Sequence, residues 1–286
     1  MTVSIILPSL HEPLGRRCIR NILATSQGHD YEIVVVSPWD AGAVNKAVKW
    51  TPETEPQGSI KAAATGFGAA TGEYVVQMCE DASPLPGWLS VALGHMKEWS
   101  PACVALHQGA IMPGSTQAIG SHGFAGTAFG RLYANFPFMR RDVAANMGWH
   151  RSDLYRAHYA DVHLGMECWA SDTRVELSTL PGRKLPQPCV TWETDRLGCP
   201  EAPAKGSTRE KDWRTFHAYW DGNETPAKPV LAAQGWSGWQ ADEHEHEHSV
   251  NIDIPPALLP FLLKDRTIVA GTWLADLVAT WRKNNV

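Results

Sequence analysis

Short apolar runs alternate with helical patterns over the first third of the chain, and this alternation constrains the fold more than any other feature. The runs Val3–Leu7, Glu32–Val36 and Tyr74–Met78 predict buried strands. Between them, apolar residues spaced along one face over Leu14–Ala24 and again over Ile60–Ala70 predict helices. Strand–helix–strand repeats of this spacing favour a parallel sheet with right-handed crossovers, and therefore an α/β fold.

Two adjacent acids, Glu80 and Asp81, follow the third predicted strand, and a turn over Ser83–Gly87 is expected to end that segment. In open α/β sheets, ligands bind at the carboxyl ends of the strands. A pair of carboxylates at that edge suits a hard divalent cation that holds phosphate oxygens. The alternative is a solvated acidic turn, the usual place for such residues.

Composition narrows the class of protein. The formal net charge of −5 offers no general attraction to nucleic acid or to an anionic membrane. Six cysteines without a Cys-x-x-Cys pair are typical of reduced thiols in a cytosolic protein. No signal peptide is visible, and the apolar segment Ile252–Leu263 is too short to span a bilayer. We therefore expect a cytoplasmic protein without a membrane span.

The middle of the chain is less regular. The segment Gly109–Gly130, rich in small residues, predicts long loops. After it, the patterns predict a strand over Phe136–Met139, a short helix over Arg141–Met147, a helix over Asp161–Ala170 and a strand over Arg174–Leu177.

The end of the chain carries fewer signals. We predict one domain over residues 1–199 and a C-terminal extension, residues 200–286, that packs on it. Its signals are an aromatic segment from Trp213 and a helical pattern over Thr272–Arg282. The alternating acids and histidines of Asp242–His248 would form a chelating stripe if extended, whereas a solvated edge or loop is the alternative.

Four ordered blocks resemble a known family. They are Val3–Glu12, Tyr31–Val36, Gly58–Leu89 and Phe138–Leu164. Over about residues 2–180 the chain resembles the family-2 glycosyltransferases, which have the GT-A fold. The resemblance implies a Rossmann-like, mixed but mostly parallel sheet flanked by helices, followed by a C-terminal extension.

The resemblance also implies an activity. Family-2 enzymes move a sugar from a nucleoside-diphosphate sugar to an acceptor hydroxyl with inversion. By this likeness, Mn²⁺ or Mg²⁺ would be held by Asp81 and Glu80, and the catalytic base would be Asp161. Asp161 is expected at the start of a helix, where the helix dipole favours the ionised carboxylate. The alternative is that Asp161 serves as the helix N-cap, an equally common use of aspartate. Contacts to the donor nucleotide sugar are expected at Pro8, Glu12, Ser37, Lys61 and Glu80.

The chain departs from the family pattern at several positions. Ser37 stands where the family usually has an aspartate after the second strand, and Cys79 replaces the first acid of the metal motif. Ala160 precedes Asp161 in place of a glutamate, and His163 follows where a second aspartate is common. These changes bear on base recognition and on metal dependence. For Glu12 and Lys61, solvated surface positions are the alternative interpretation.

The acceptor is not identified by the sequence, and a glycan, a small molecule or a phosphate-bearing acceptor such as modified DNA all remain open. Arginines near the proposed base leave room for phosphate: Arg131, Arg140, Arg141, Arg151 and Arg156. The alternatives to a glycosyltransferase are a non-catalytic binding module of the same fold and a sugar nucleotidyltransferase. The second usually has a Gly-rich loop after the first strand, which Pro8–Glu12 does not provide.

Overall fold

The computed structural model describes residues 1–42, 45–111, 123–128, 131–134, 136–171, 173–178, 180, 188–193, 195–200, 206–220 and 249–254. The strands are β1 Thr2–Pro8, β2 Asp30–Ser37, β3 Val48–Pro52, β4 Tyr74–Gln77, β5 Ala82–Pro84, β6 Cys103–Leu106, β7 Gln108–Ile111, β8 Gly123–Ala128, β9 Arg131–Leu132, β10 Phe138–Arg140, β11 Val175–Ser178, β12 Val190–Glu193 and β13 Ser249–Ile254. The helices are α1 Glu12–Thr25, α2 Ser59–Ala69, α3 Trp88–Trp99, α4 Arg141–Asn146, α5 Ala160–Ala170 and α6 Gly206–Trp220, with a 3₁₀ turn at Trp149–Arg151.

A central sheet organises the fold. Within the described residues it has seven strands in the order β11-β6-β10-β4-β1-β2-β3. Strand β1 runs parallel to both neighbours, β2 and β4, and β10 is antiparallel to β4 and β6. The predicted strand–helix alternation and the mixed, mostly parallel sheet are therefore confirmed.

The sheet is covered on both faces, which explains why its strands are apolar throughout. Successive residues of β1 point to opposite faces. Ile5 packs in one apolar cluster with Ile19 of α1, and Ile6 packs in the other with Ile60 of α2. Each of these side chains is at most 5% exposed. Helices on both faces thus hold the strands in place, and with them the sheet edge where a ligand would lie.

A second, smaller sheet corrects two predictions. Among the described residues its order is β13-β8-β7-β12-β5. Strand β8 and all but the first residue of β7 fall inside Gly109–Gly130, which the sequence predicts as loops. The predicted turn over Ser83–Gly87 is wrong at its start, because β5 pairs with β12 from much later in the chain. Strands β5, β7 and β8 are short and contain residues with weak strand preference. Their conformation therefore depends on pairing with distant parts of the chain.

Strand β3 was not predicted, because its sequence is polar. It lies parallel to β2 at the edge of the central sheet. From it Lys49 forms an ion pair with Glu32, a residue that is only 6% exposed. Glu32 also accepts hydrogen bonds from the hydroxyl groups of Ser4, at 2.5 Å, and Thr71, at 3.0 Å. A buried carboxylate thus links β1, β2, β3 and the turn before β4.

Helix α6 packs against α5. Its Phe216 and Trp220 are fully buried and belong to the same apolar cluster as residues of α5. The predicted boundary between residues 199 and 200 stays a prediction, and Asp242–His248 and Thr272–Arg282 lie outside the described residues. No helix in the described part of the chain combines the length and apolar character needed to cross a membrane.

Candidate functional site

The carboxyl ends of β1, β2 and β4 meet at one edge of the central sheet. Parallel pairing places Pro8 opposite Val36, and the backbone N–H of Met78 bonds to the carbonyl of Ile6 at 2.8 Å. The loop after β1, the loop after β2 and the acids after β4 are therefore neighbours. This is the edge at which open α/β sheets bind their ligands.

Glu80 fastens the loop that follows β1. Its Oε2 accepts hydrogen bonds from the Ser9 hydroxyl at 2.9 Å and from the backbone N–H of His11 at 2.8 Å. Its Oε1 lies 2.7 Å from Nδ1 of His11. Both carboxylate oxygens are thus engaged within the protein. The predicted contacts of Glu80 with metal and diphosphate stay predictions.

Asp81 is the less compensated of the two acids. Burial raises the pKa of its carboxyl, and the nearby charge of Glu80 adds to that effect, whereas Arg196 acts against it. The Arg196 Nη1 lies 3.4 Å from Oδ2 of Asp81, which is long for an ion pair, and the Asp81 side chain is 27% exposed. A partly exposed carboxylate in this state would gain from a cation.

Arg196 was not predicted as a site residue. It is brought to the edge by Arg17 of α1, whose Nη1 donates a hydrogen bond of 2.7 Å to the backbone carbonyl of Asp195. The contact joins parts of the chain 178 positions apart. Because the two residues are so far apart in the chain, no local sequence pattern indicates the contact.

The loop after β2 shows how Ser37 is used. Its hydroxyl donates to the carbonyl of Trp39 at 2.6 Å and accepts from Nε1 of Trp50 at 3.2 Å. Ser37 is fully buried. Trp39 lies against Gly15 of α1, where a Cβ atom would come within 2.4 Å of the indole ring. Ser37 therefore supports the loop, and its predicted contact with the nucleotide stays a prediction.

The other predicted donor contacts differ in exposure. Pro8 is buried at the end of β1. Glu12 is exposed and pairs with Arg16 one helical turn later, at 2.7 Å. Lys61 is exposed in the first turn of α2. Nothing in the structure tests the contacts proposed for these three residues.

Asp161 lies in the first turn of α5, as predicted. The helix begins at Ala160, and its N-cap position is taken by Tyr159, in a left-handed conformation with φ 65°. Asp161 is therefore the second residue of the helix and not its N-cap. Its Oδ1 accepts a hydrogen bond from the N–H of Val162 at 2.9 Å. Burial nevertheless raises the pKa of Asp161 to about 6.

A cavity of about 530 Å³ connects Asp161 with the sheet edge. Its polar lining includes Gln77, Cys79, Gln108, His150, Asp161 and Trp192. Cys79 is the residue immediately before the two acids. Burial raises the pKa of its thiol, and the charges of Asp81 and Asp161 raise it further, so this side chain is neutral. The cavity thus reaches both Asp161 and Cys79, the residue that precedes the acidic pair in the chain.

His150 is a second titratable residue of the cavity that the sequence did not single out. It is 3% exposed and has φ 54°, a left-handed conformation. Burial lowers the pKa of its imidazole to about 3, against a hydrogen bond to the backbone of Ala160. The ring is therefore uncharged at physiological pH. His150 lies close to α5 because the 3₁₀ turn packs there, and no local sequence pattern predicts that packing.

Helix α6 supports the segment that leads into Asp161. The Asp212 carboxylate, 1% exposed, accepts hydrogen bonds from three consecutive backbone N–H groups. These belong to Arg156 (3.2 Å), Ala157 (2.9 Å) and His158 (3.0 Å). The last two residues line the cavity. Asp212 therefore holds part of the cavity wall, a contribution that sequence analysis missed.

His163 belongs to the core, where it lies beside Glu167. Its ring is fully buried, and its Nδ1 lies 2.9 Å from the Tyr155 hydroxyl and 3.1 Å from the indole nitrogen of Trp220. Its Nε2 faces the Glu167 carboxylate at 3.2 Å. Among the described residues, no group of three or more His, Cys, Asp or Glu side chains is placed to hold a metal ion.

Comparisons with known proteins identify the fold. No family model and no curated protein sequence matches the chain. A crystal structure of S. aureus TarS 1–349 in complex with UDP-GlcNAc matches it with a TM-score of 0.52 and 15% identity, covering 82% of this chain and 71% of that one. A crystal structure of S. aureus TarS matches with a TM-score of 0.53 and 13% identity, over 82% of this chain and 42% of that one.

TarS is a family-2 glycosyltransferase, so the structural neighbour comes from the family that the four sequence blocks resemble. At these identities the likeness establishes the fold alone. The central sheet and its flanking helices agree with that assignment. The chain has a GT-A-like glycosyltransferase fold.

Proposed function

We propose that this protein is an inverting glycosyltransferase that moves a sugar from a nucleoside-diphosphate sugar to an acceptor hydroxyl, with Asp161 as the base. One observation carries the proposal. Asp161 lines a cavity that also reaches Cys79, next to the acids at the carboxyl edge of the sheet. The proposed base and the residue that precedes the proposed donor anchor thus line one cavity. Binding of UDP-GlcNAc by TarS supports a nucleotide sugar as donor.

The pKa of Asp161 suits this function. A general base works best when its pKa lies near the operating pH, because it is then both ionised and able to accept a proton. Burial raises the pKa of Asp161 to about 6, so that the carboxylate is ionised at pH 7 and more basic than an ordinary aspartate. Direct displacement assisted by such a base inverts the configuration at the anomeric carbon.

Of the two acids, Asp81 gives the main support for a divalent cation. Asp81 offers a partly exposed carboxylate whose charge is incompletely compensated by Arg196. Mg²⁺ is commonly held by one or two carboxylates together with substrate phosphates, so a single protein ligand is compatible with such a site. We propose Asp81 as the first ligand and Glu80 as the second. The cation would offset negative charge on the leaving nucleoside diphosphate.

Glu80 has a structural function whether or not it binds a metal, because it holds the loop after β1. Through Ser9 and His11, Glu80 fixes the segment that follows β1. Backbone at this position faces the ligand edge of the sheet. Glu80 thus stabilises the shape of the proposed donor site even when it binds no metal.

The proposal is tested by assaying turnover of nucleoside-diphosphate sugars in the presence of Mn²⁺. The panel begins with UDP-GlcNAc. We compare the wild type with Asp81→Ala, Asp161→Asn and the control Asp153→Asn, an acid paired with Arg151 at 2.8 Å. Asp161→Asn should lower kcat by about 10² to 10⁴ while donor affinity changes little. Asp81→Ala should weaken binding of the donor with Mn²⁺, and the control should resemble the wild type.

One result would overturn the enzyme assignment: a wild type that turns over no nucleotide sugar, combined with donor binding that neither substitution changes. The chain would then be a binding module. Transfer at the wild-type rate in Asp161→Asn would overturn the assignment of Asp161 as the base. Retention of anomeric configuration in the product, read by NMR, would overturn the inverting mechanism alone.

A further inference from the structure

A tight turn places Arg196 next to the acidic pair at the sheet edge. The backbone N–H of Cys199 donates a hydrogen bond of 2.8 Å to the carbonyl of Arg196. The two residues between them, Leu197 and Gly198, have φ values of 51° and 75°. Positive φ at both central positions is typical of a type I′ turn. Oδ1 of Asp195 supports the turn, because it accepts a hydrogen bond from the N–H of Leu197 at 2.9 Å.

Contacts outside the ion pair fix the position of this turn. Arg17 of α1 donates from Nη1 to the carbonyl of Asp195 at 2.7 Å. Arg196 itself donates from Nη2 to the carbonyl of Pro200 at 3.1 Å. The guanidinium of Arg196 is therefore carried to the acidic pair by the backbone of its turn, and its place there does not depend on attraction to Asp81 alone.

The ion pair between Arg196 and Asp81 is loose. Nη1 lies 3.4 Å from Oδ2, whereas a close hydrogen bond between such groups measures about 2.7–2.9 Å. The two side chains are 26% and 27% exposed. Nε of Arg196 has no hydrogen-bond partner within the described part of the chain. A partly exposed contact of this length adds little stability, so it can be exchanged for another at small cost.

Of the two acids, Asp81 is the one that Arg196 shields from a further cation. Both carboxylate oxygens of Glu80 already have contacts, with Ser9 and His11 of the loop after β1. Asp81 has its Oδ2 toward the guanidinium. A positive charge beside a carboxylate offsets the field that attracts a second cation, and it also repels that cation directly. Cation binding at Asp81 is therefore opposed for as long as Arg196 stays in place.

We propose that Arg196 is a built-in counter-ion that competes with a divalent cation for Asp81, so that this contact holds the cation site closed until the donor binds. The inference rests on the proposed function in one respect, namely that Asp81 is a metal ligand. It requires no sugar transfer and is tested by binding alone.

A nucleoside diphosphate should relieve the competition. Its phosphates bring negative charge to the sheet edge, and a guanidinium bonds phosphate oxygens as well as it bonds a carboxylate. Arg196 then has a second anion to pair with, and Asp81 is left to the cation. Mn²⁺ and UDP should therefore bind cooperatively, each raising the affinity of the other by the same factor.

Binding of Mn²⁺, followed by the electron paramagnetic resonance signal of the free ion, tests the competition without turnover. The wild type is compared with Arg196→Gln, first without nucleotide and then with saturating UDP. Without nucleotide, Arg196→Gln should bind Mn²⁺ about tenfold more tightly, equivalent to about 1.4 kcal/mol, because Asp81 has lost its counter-ion. The factor by which UDP tightens Mn²⁺ binding should fall by about threefold or more.

Gly198→Val provides a second variant that changes no charge. A β-branched residue strongly disfavours the positive φ at this position, while a Cβ atom there meets nothing within 4 Å. The substitution should open the turn, loosen the contact between Arg196 and Asp81, and tighten Mn²⁺ binding without nucleotide by about threefold or more. Gly28→Val is the matched control, since Gly28 also has a positive φ and open space around it.

Two further variants assign the effect to Asp81. Adding Asp81→Ala to Arg196→Gln should abolish the gain in Mn²⁺ affinity. Arg214→Gln, at an exposed arginine that pairs with Glu210 on α6, should bind Mn²⁺ like the wild type. Circular dichroism checks the fold of each variant.

Three results overturn the proposal. They are Mn²⁺ binding without nucleotide that is no tighter in the folded Arg196→Gln and Gly198→Val variants, a gain that survives Asp81→Ala, and an effect of UDP that Arg196→Gln leaves unchanged. Sugar transfer is read separately. The predicted Mn²⁺ binding without transfer overturns the transferase and leaves the counter-ion standing, whereas transfer with Mn²⁺ binding that is independent of Arg196 does the reverse.

Discussion

The carboxylate of Asp212 accepts a hydrogen bond from the backbone N–H of Ala157 at 2.9 Å, and through it α6 holds the segment that precedes the proposed base. The N–H groups of Arg156 and His158 point to the same carboxylate. On its other side this segment lies against Gly58, where a Cβ atom would come within 2.7 Å of the Arg156 carbonyl oxygen. A region outside the recognised sequence blocks thus fixes part of the candidate site.

Asp212→Asn should destabilise the protein. The amide keeps one acceptor oxygen but turns donor hydrogens toward backbone N–H groups, which leaves buried donors unpaired. We expect a loss of about 2–3 kcal/mol in the free energy of unfolding, measured in urea. Glu210→Gln on the same helix, an exposed residue paired with Arg214, should change it by less than about 0.5 kcal/mol. Equal effects of the two substitutions would contradict the structure.

Asp161→Asn should stabilise the protein at high pH. Burial raises the pKa of Asp161 from 3.8 to about 6, so ionisation opposes folding. Stability therefore falls as pH rises from about 4 to 6 and stays reduced above that range. At pH 8 the variant should be more stable by about 1–3 kcal/mol, allowing for the partial exposure of the residue. At pH 3.5, where the carboxyl is mostly protonated in both states, the difference should fall below about 0.5 kcal/mol.

Urea unfolding at the two pH values measures this difference. Asp142→Asn is the matched control, because its bond with Arg140 lowers the pKa of that exposed carboxyl. The control should show no stabilisation at pH 8. A destabilised Asp161→Asn at pH 8 would show that the carboxylate is favoured in the folded state and would remove the physical basis for a raised pKa.

The rate of sugar transfer should depend on the same ionisation. A base must be ionised to accept a proton, so log kcat should fall with a slope of one as pH drops below about 6. The profile is measured at saturating donor between pH 4.5 and 8.5 with single-turnover kinetics. A rate that is flat across pH 5 to 7 would indicate a different base or a different rate-limiting step.

The sequence predicted the part of the fold that rests on local pattern. The runs at β1, β2 and β4 are apolar because helices cover both faces of the sheet, and such runs are visible without tertiary information. Strands β5 and β8 were missed because their conformation depends on pairing with β12 and β13, far along the chain. Their own residues favour turns as much as strands.

The candidate site divides in the same way. Glu80 and Asp81 were singled out by their position after a strand, and Asp161 by the family resemblance. The charges of all three raise the pKa of the Cys79 thiol. Arg196 and Asp212 were missed because each acts on residues at least 54 positions away. Contacts of that separation arise only from the packed fold.

Glu80→Gln tests the loop anchor at the sheet edge. With its oxygen at the Oε2 position, glutamine can still accept from both the Ser9 hydroxyl and the N–H of His11. Its NH₂ group then replaces Oε1, so the acceptor and the negative charge that face Nδ1 of His11 are lost. We expect a loss of about 1–3 kcal/mol in stability and weaker UDP binding. Urea unfolding and calorimetry measure the two effects. Glu12→Gln, an exposed pair with Arg16, is the control and should lose no more than about 0.5 kcal/mol.

Glu32 should set the acid limit of stability. Burial would raise the pKa of its carboxyl, but hydrogen bonds from Lys49, Ser4 and Thr71 outweigh it and lower the pKa from 4.5 to about 2. Ionised Glu32 therefore adds stability above pH 4.5, and this contribution is lost as pH falls from about 4.5 to 2. It amounts to about 3 kcal/mol, since each pKa unit corresponds to about 1.4 kcal/mol.

Glu32→Gln should accordingly lower the free energy of unfolding by about 3 kcal/mol at pH 7 and by much less near pH 2.5. Urea titrations at a series of pH values measure the slope. Glu55→Gln, at an exposed position, should leave the stability profile of the wild type unchanged. If Glu32→Gln lowered stability equally at both pH values, packing of the side chain and not its charge would account for the buried link between β1, β2 and β3.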